Sequence, residues 1–87
     1  MIQFAVVRVN DDFVQCIGIY TNLYEAAGCA YMCASDLVND SEDGKGSVTP
    51  LFALEGDTGT GLTVRYGENL ETDIYILRCE TNEREVM

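Results

Sequence analysis

The chain predicts an α+β fold, a two-layer sandwich with one helix on one face of a mainly antiparallel five-stranded sheet, in the order ββαβββ. Three observations lead there. Runs rich in β-branched and aromatic residues recur at 2–9, 13–20, 48–54, 62–66 and 73–79, separated by Gly, Asn and Asp. One interval, 22–39, instead repeats its apolar residues at spacings of three and four. Apolar residues make up 47% of the 87, enough for one core and too many for an acidic disordered segment.

The first two runs form an N-terminal hairpin with Asn10, Asp11 and Asp12 as its turn. Phe4 and Val6 share one face of the first strand, while Val7 and Val9 lie on the other. A strand apolar on both faces belongs inside a sheet, and the last run, with Ile74, Tyr75, Ile76 and Leu77, has the same character. Asn22 is a helix cap, with Glu25 three residues on, and the helix should end at Val38 or Asn39. Leu23, Ala27, Ala30, Ala34 and Leu37 define its buried stripe. Small residues there let the helix lie close on the sheet. Tyr24, Gly28, Tyr31 and Met32 take the opposite face; the tyrosines either anchor a partner or pack in part. An acidic loop follows at 39–47, then a third strand with Pro50 near its start, a wide glycine turn at 56–61, a fourth strand, a turn at 67–72 and the fifth strand. Residues 1–79 make a single domain and 80–87 a charged tail.

Fifteen acidic residues against five basic ones, with no histidine, leave a formal charge of −10. Such a chain repels nucleic acid and anionic membranes and suits a basic protein surface. No run reaches the roughly eighteen apolar residues of a membrane span, and the N-terminus lacks the pattern of a signal peptide, so a cytoplasmic protein is expected. Tracing the strand directions puts Asp11, Asp12, Asp36, Asp40, Glu42, Asp43, Glu68, Glu71 and Asp73 at one pole. Lys45 is the clear offset there, with Arg8 and Arg65 approaching. Two readings remain open. Acids favour turns and keep a small domain in solution. A row of carboxylates can also stand in for phosphates before a basic groove.

Catalytic machinery is sparse. Without histidine there is no Ser-His or Cys-His pair, and carboxylates in turns are poorly fixed for paired acid–base work, so no enzyme activity is expected. The run Gly56-Asp57-Thr58-Gly59-Thr60-Gly61 lacks the Lys-Ser/Thr ending of a phosphate loop and joins two strands. Aligning Gly44 with the glycine of a calcium loop puts Pro50 where the bidentate glutamate belongs. Cys16, Cys29, Cys33 and Cys79 lack a Cys-x-x-Cys spacing, and buried, reduced, packing thiols are expected, with no cofactor or metal.

The arrangement of Phe4-Ala5-Val6-Val7, Asn10-Asp11-Asp12, Phe13-Val14 and Thr21-Asn22-Leu23-Tyr24-Glu25-Ala26-Ala27 resembles small proteins carried by phages and prophages, over about the first forty residues. In size, acidity and lack of catalytic equipment the chain also resembles the anti-CRISPR inhibitors, many of which are short acidic α+β proteins that occupy a nuclease's nucleic-acid-binding surface. No residue transfers by motif. The resemblance implies a class: a non-enzymatic inhibitor in a bacterial cytoplasm, whose partner is a basic nucleic-acid-binding protein such as a CRISPR effector. Asp11, Asp12, Asp36, Asp40, Glu42, Asp43, Glu68 and Glu71 are the expected contact residues. The alternative is an assembly module that dimerises or joins a complex through an open sheet face or an edge strand.

Overall fold

The computed structural model describes residues 1–11, 13–41 and 44–80. Strands β1 (Ile2–Val9) and β2 (Val14–Tyr20) precede helix α1 (Leu23–Asn39). Strands β3 (Gly46–Val48), β4 (Phe52–Ala53), β5 (Gly59–Tyr66) and β6 (Leu70–Glu80) follow, with one 3₁₀ turn at Glu55–Asp57. The sheet order is β2-β1-β6-β5-β3, with β4 also on β5, and every described ladder is antiparallel. The α+β architecture is thus as expected, and β1 and β6, the strands apolar on both faces, are interior. No described helix is long and apolar enough to cross a membrane.

Several boundaries differ from the sequence reading, each for a local reason. The expected strand 48–54 is two short pieces, β3 and β4, because Pro50 has no N–H to give the ladder. Thr49 keeps this edge attached: its N–H donates to the Thr63 carbonyl at 3.0 Å, and its hydroxyl accepts from the Thr63 N–H at 2.9 Å. The wide turn at 56–61 shrinks, since Gly59, Thr60 and Gly61 pair with Leu77, Ile76 and Tyr75 as the start of β5. The turn at 67–72 is only 67–69, with Gly67 (φ 59°) and Asn69 (φ 65°) in the left-handed region that lets a short turn close. The final strand runs from Leu70 to Glu80, so Glu80 belongs to the sheet, while 81–87 lie outside the described residues.

The helix begins where its cap predicts. Asn22 is extended (φ −131°, ψ 129°), and its side-chain oxygen accepts from the Tyr24 N–H at 2.7 Å. Replacing Asn22 with alanine should cost about 1 kcal/mol of stability in urea unfolding, and replacing it with aspartate should restore most of the loss.

The core lies between the helix and one sheet face. Ala26, Ala30 and Ala34 are fully buried against Val6, Leu62, Val64, Ile74 and Ile76, with Phe4, Ile17, Tyr20, Ala27 and Leu37 packed around them. Ala30 and Ala34 are buried and Ala27 and Leu37 pack beside them as expected, while Ala26 takes the place expected of Leu23, which is 46% exposed at the helix start. Alanines bring the helix backbone onto the sheet, so its large neighbours must come from the strands. Each of those buried aliphatic side chains stabilises by roughly 1.5–3 kcal/mol. Among the described residues Thr72 is the buried polar one, its hydroxyl 3.0 Å from that of Tyr66. Residues paired across the ladders share a face, so Ala5, Val7, Ile19, Tyr75, Leu77 and Phe52 lie on the side away from the helix.

Candidate acidic interface

Among the described residues, the pole traced from the sequence is built by two chain reversals, the start of β6 and the end of the helix. Asp11 is exposed in the turn after β1, where the Asn10 N–H donates to the Phe13 carbonyl (3.1 Å) and the Asn10 side chain accepts from the Phe13 N–H (3.2 Å). Glu68 is exposed in the 67–69 turn. Glu71 and Asp73 begin β6, where Asp73 is registered against Val9 of β1 and Thr63 of β5. Asp36 and Asp40 are exposed at the helix end, with the Asp40 N–H donating to the carbonyls of Asp36 and Val38. Asp12, Glu42 and Asp43 lie outside the described residues.

These acids form two groups on opposite sides of the sheet edge. Asp11, Glu71 and Asp73 line one cleft of about 340 Å³ with Asn10, Asn69 and Tyr66. Asp36 and Asp40 line another, of about 540 Å³, between the helix and β2, shared with Arg8, Tyr20, Cys29 and Cys33. Glu68 lines neither.

The two groups differ in how free their charges are. Asp73 accepts from the Thr63 hydroxyl at 2.8 Å and from the Tyr75 hydroxyl at 3.5 Å, so much of its hydrogen-bonding capacity is spent inside the sheet. Burial holds the Tyr75 phenol above its ordinary value, and the Asp73 charge adds to that. Glu71 pairs with Arg65 at 3.1 Å; both are well exposed, and such a pair contributes little to stability. Arg65 is therefore an offset to the pole as direct as the one expected of Lys45. Asp36 and Asp40 have no ion-pair partner among the described residues.

Arg8 lines the larger cleft, a role the sequence did not suggest. Its guanidinium lies 5.1 Å from the centre of the Phe13 ring, and its Nε is shielded from solvent with no hydrogen-bond partner in the structure. Burial pushes the Cys33 thiol up, and the Arg8 charge beside it opposes that rise only in part. Tyr20 is likewise held above its ordinary value, chiefly by Cys29 through hydrogen bonding and charge. A raised pKa means that the folded protein holds its proton longer than the unfolded chain. The associated stability is complete below pH 9, near the ordinary thiol value of 9.0, and is lost as pH rises through the raised one. Melting temperature should accordingly fall above pH 9, and Cys33→Ser should make that fall shallower.

All four cysteines are free. The expectation that all are buried is corrected: Cys29 and Cys33 pack half-buried against the core, but Cys16 and Cys79 are exposed. Cys16 lies on the edge strand and Cys79 near the end of the longest strand, where no layer covers them. Among the described residues no group of three or more Cys, Asp or Glu side chains is placed to hold a metal ion. The helix face bearing Tyr24 (88% exposed), Tyr31 and Met32 is open to solvent as expected. No family model, no curated protein and no solved structure matches this chain.

Proposed function

We propose that this domain is a non-enzymatic binding protein that engages a basic nucleic-acid-binding protein through its acidic pole, its carboxylates taking the place of phosphates. Partner access to nucleic acid would be blocked by occupation of the same surface. One observation carries the reading. Asp36 and Asp40 sit on the last turn and cap of the helix, a turn that itself carries no basic residue, although Arg8 of β1 shares their cleft. That is the negative end of the macrodipole, where carboxylates are locally unfavourable and lysine or arginine would be expected. Solubility alone would be served by acids anywhere on the surface. Acids held against the local field, beside two acid-bearing turns, are better explained by a positively charged partner. The reading brings with it a bacterial cytoplasm as the setting and an inhibitor of the anti-CRISPR kind as the nearest class.

The test is capture of partners on the immobilised protein, from a bacterial lysate supplemented with guide-loaded CRISPR nucleases, at low and high salt. A nucleic-acid-binding protein should be retained at low salt and released by salt or by competing DNA. A variant with Asp11, Asp40, Glu68 and Glu71 all replaced by their amides should bind that partner about tenfold to a hundredfold more weakly. Unchanged affinity in that variant, or binding indifferent to salt, would overturn the reading.

A further inference from the structure

Three sulfur-bearing side chains, Cys29, Met32 and Cys33, line the cleft of about 540 Å³ between α1 and β2. The helix gathers them. Residues three and four apart share a helix face, and those four apart hold their Cβ atoms about 5–6 Å from each other. Both thiols are free and half-buried. A metal–sulfur bond is about 2.3 Å long, so two of them close on one ion across that gap. A disulfide suits the same pair poorly, because its torsion is hard to reach along a regular helix. Met32 is 69% exposed, and its unbranched, polarisable chain is free to bring the thioether to the thiols.

We infer that Cys29 and Cys33, with Met32 as a third donor, form a binding site for a soft monovalent cation, Cu(I) being the ion that fits. Ligand type selects it, since thiolate and thioether sulfur favour Cu(I) where oxygen favours magnesium, calcium or manganese. Coordination number selects against zinc. A structural zinc ion takes four donors, and among the described residues no third Cys, Asp or Glu side chain is placed to extend the pair. Charge agrees with both. The net −10 of the chain draws cations, and Asp36 and Asp40 in the same cleft attract the ion without ligating it. Two thiolates on one monovalent ion leave a single excess negative charge, and Arg8 is placed to offset it. Arg8 lies beside Cys33, and its shielded Nε has no hydrogen-bond partner. A thiolate at Cys33 is the strong acceptor that this N–H lacks. Ligation forms a copper–sulfur bond at each thiol, releases both thiol protons to solvent and leaves the metal as Cu(I). The site stands whether or not the acidic pole engages a partner.

The experiment is an anaerobic titration with Cu(I) against a chromogenic Cu(I) chelator, on a chain whose exposed cysteines are removed by Cys16→Ser and Cys79→Ser. That background should take one Cu(I) per chain and gain ultraviolet absorption from thiolate-to-copper charge transfer. Adding Cys29→Ser or Cys33→Ser should weaken binding more than about a hundredfold, beyond the cost of losing an outer-shell partner, and Met32→Leu about tenfold. Circular dichroism checks the fold of each variant; if Cys33→Ser fails to fold, Cys29→Ser alone supplies the readout. Asp36→Asn/Asp40→Asn should keep the charge-transfer band, which separates the sulfur site from the carboxylates. A background chain that leaves all Cu(I) with the chelator would overturn the inference. So would binding that Cys29→Ser leaves unchanged, or Zn(II) held one per chain with the same dependence on Cys29 and Cys33.

Discussion

Gly59→Ala should leave the protein largely unfolded under conditions where the wild type is native. Gly59 opens β5 with φ 152°, outside the backbone conformations that L-residues readily adopt. A methyl group there would be driven into the carbonyl of Ile76 on β6. That neighbour is backbone in the middle of an interior strand and cannot swing aside as a side chain could. Adding φ strain to a backbone collision should cost at least about 4 kcal/mol, the range reserved for a few severe mechanisms. A domain of this size has only roughly 4–13 kcal/mol in total, so the folded population is at risk. Gly28→Ala is the control. Nothing lies within 4 Å of its added methyl on the open helix face, and it should stabilise by about 1 kcal/mol. Urea unfolding of the two variants should move the midpoint in opposite directions; a Gly59→Ala midpoint equal to wild type would refute the argument.

The same residues show where sequence reading succeeds and where it stops. The helix was legible almost to the residue, because Asn22 caps it and its alanines repeat with helical period. The interior positions of β1 and β6 were legible because both faces are apolar. Glycine marks turns far more often than strands, so from sequence Gly59 and Gly61 read as part of a turn. What places them in β5 is the approach of β6 and of the Phe52 ring, a tertiary condition that leaves no local trace. Pro50 is tolerable near a strand end by sequence, whereas in the structure it divides the edge in two. Asp11, Asp36, Asp40, Glu68 and Glu71 could be assigned to one pole from strand direction alone. The division of Asp11 and Glu71 from Asp36 and Asp40 into two clefts could not, because it depends on which side of the sheet the helix end falls. Arg8 looked like an approaching counter-charge; its shielded Nε and its contact with Phe13 come from a turn geometry that spacing does not encode.

Replacing both Asp36 and Asp40 with asparagine should raise stability and lower partner affinity together. Each carboxylate faces the negative end of α1 and costs the helix about 0.3–1 kcal/mol, with the lower part of that range expected for exposed positions. Removing both should therefore stabilise by about 1 kcal/mol. In a domain of this length that is a rise in melting temperature of about 4–8 °C. Added salt should shrink the gain, because it screens the same repulsion in the wild type. If the two acids were there only to keep the chain in solution, the variant would be a better protein with nothing lost. If they are part of a surface that meets a basic partner, affinity should fall about tenfold while the fold becomes firmer. A gain in one property against a loss in the other is the signature of residues retained for binding at the expense of stability. Stabilisation with affinity intact would remove the helix end from the interface and leave Asp11 and Glu68 of the two turns, with Glu71 at the start of β6, to carry it.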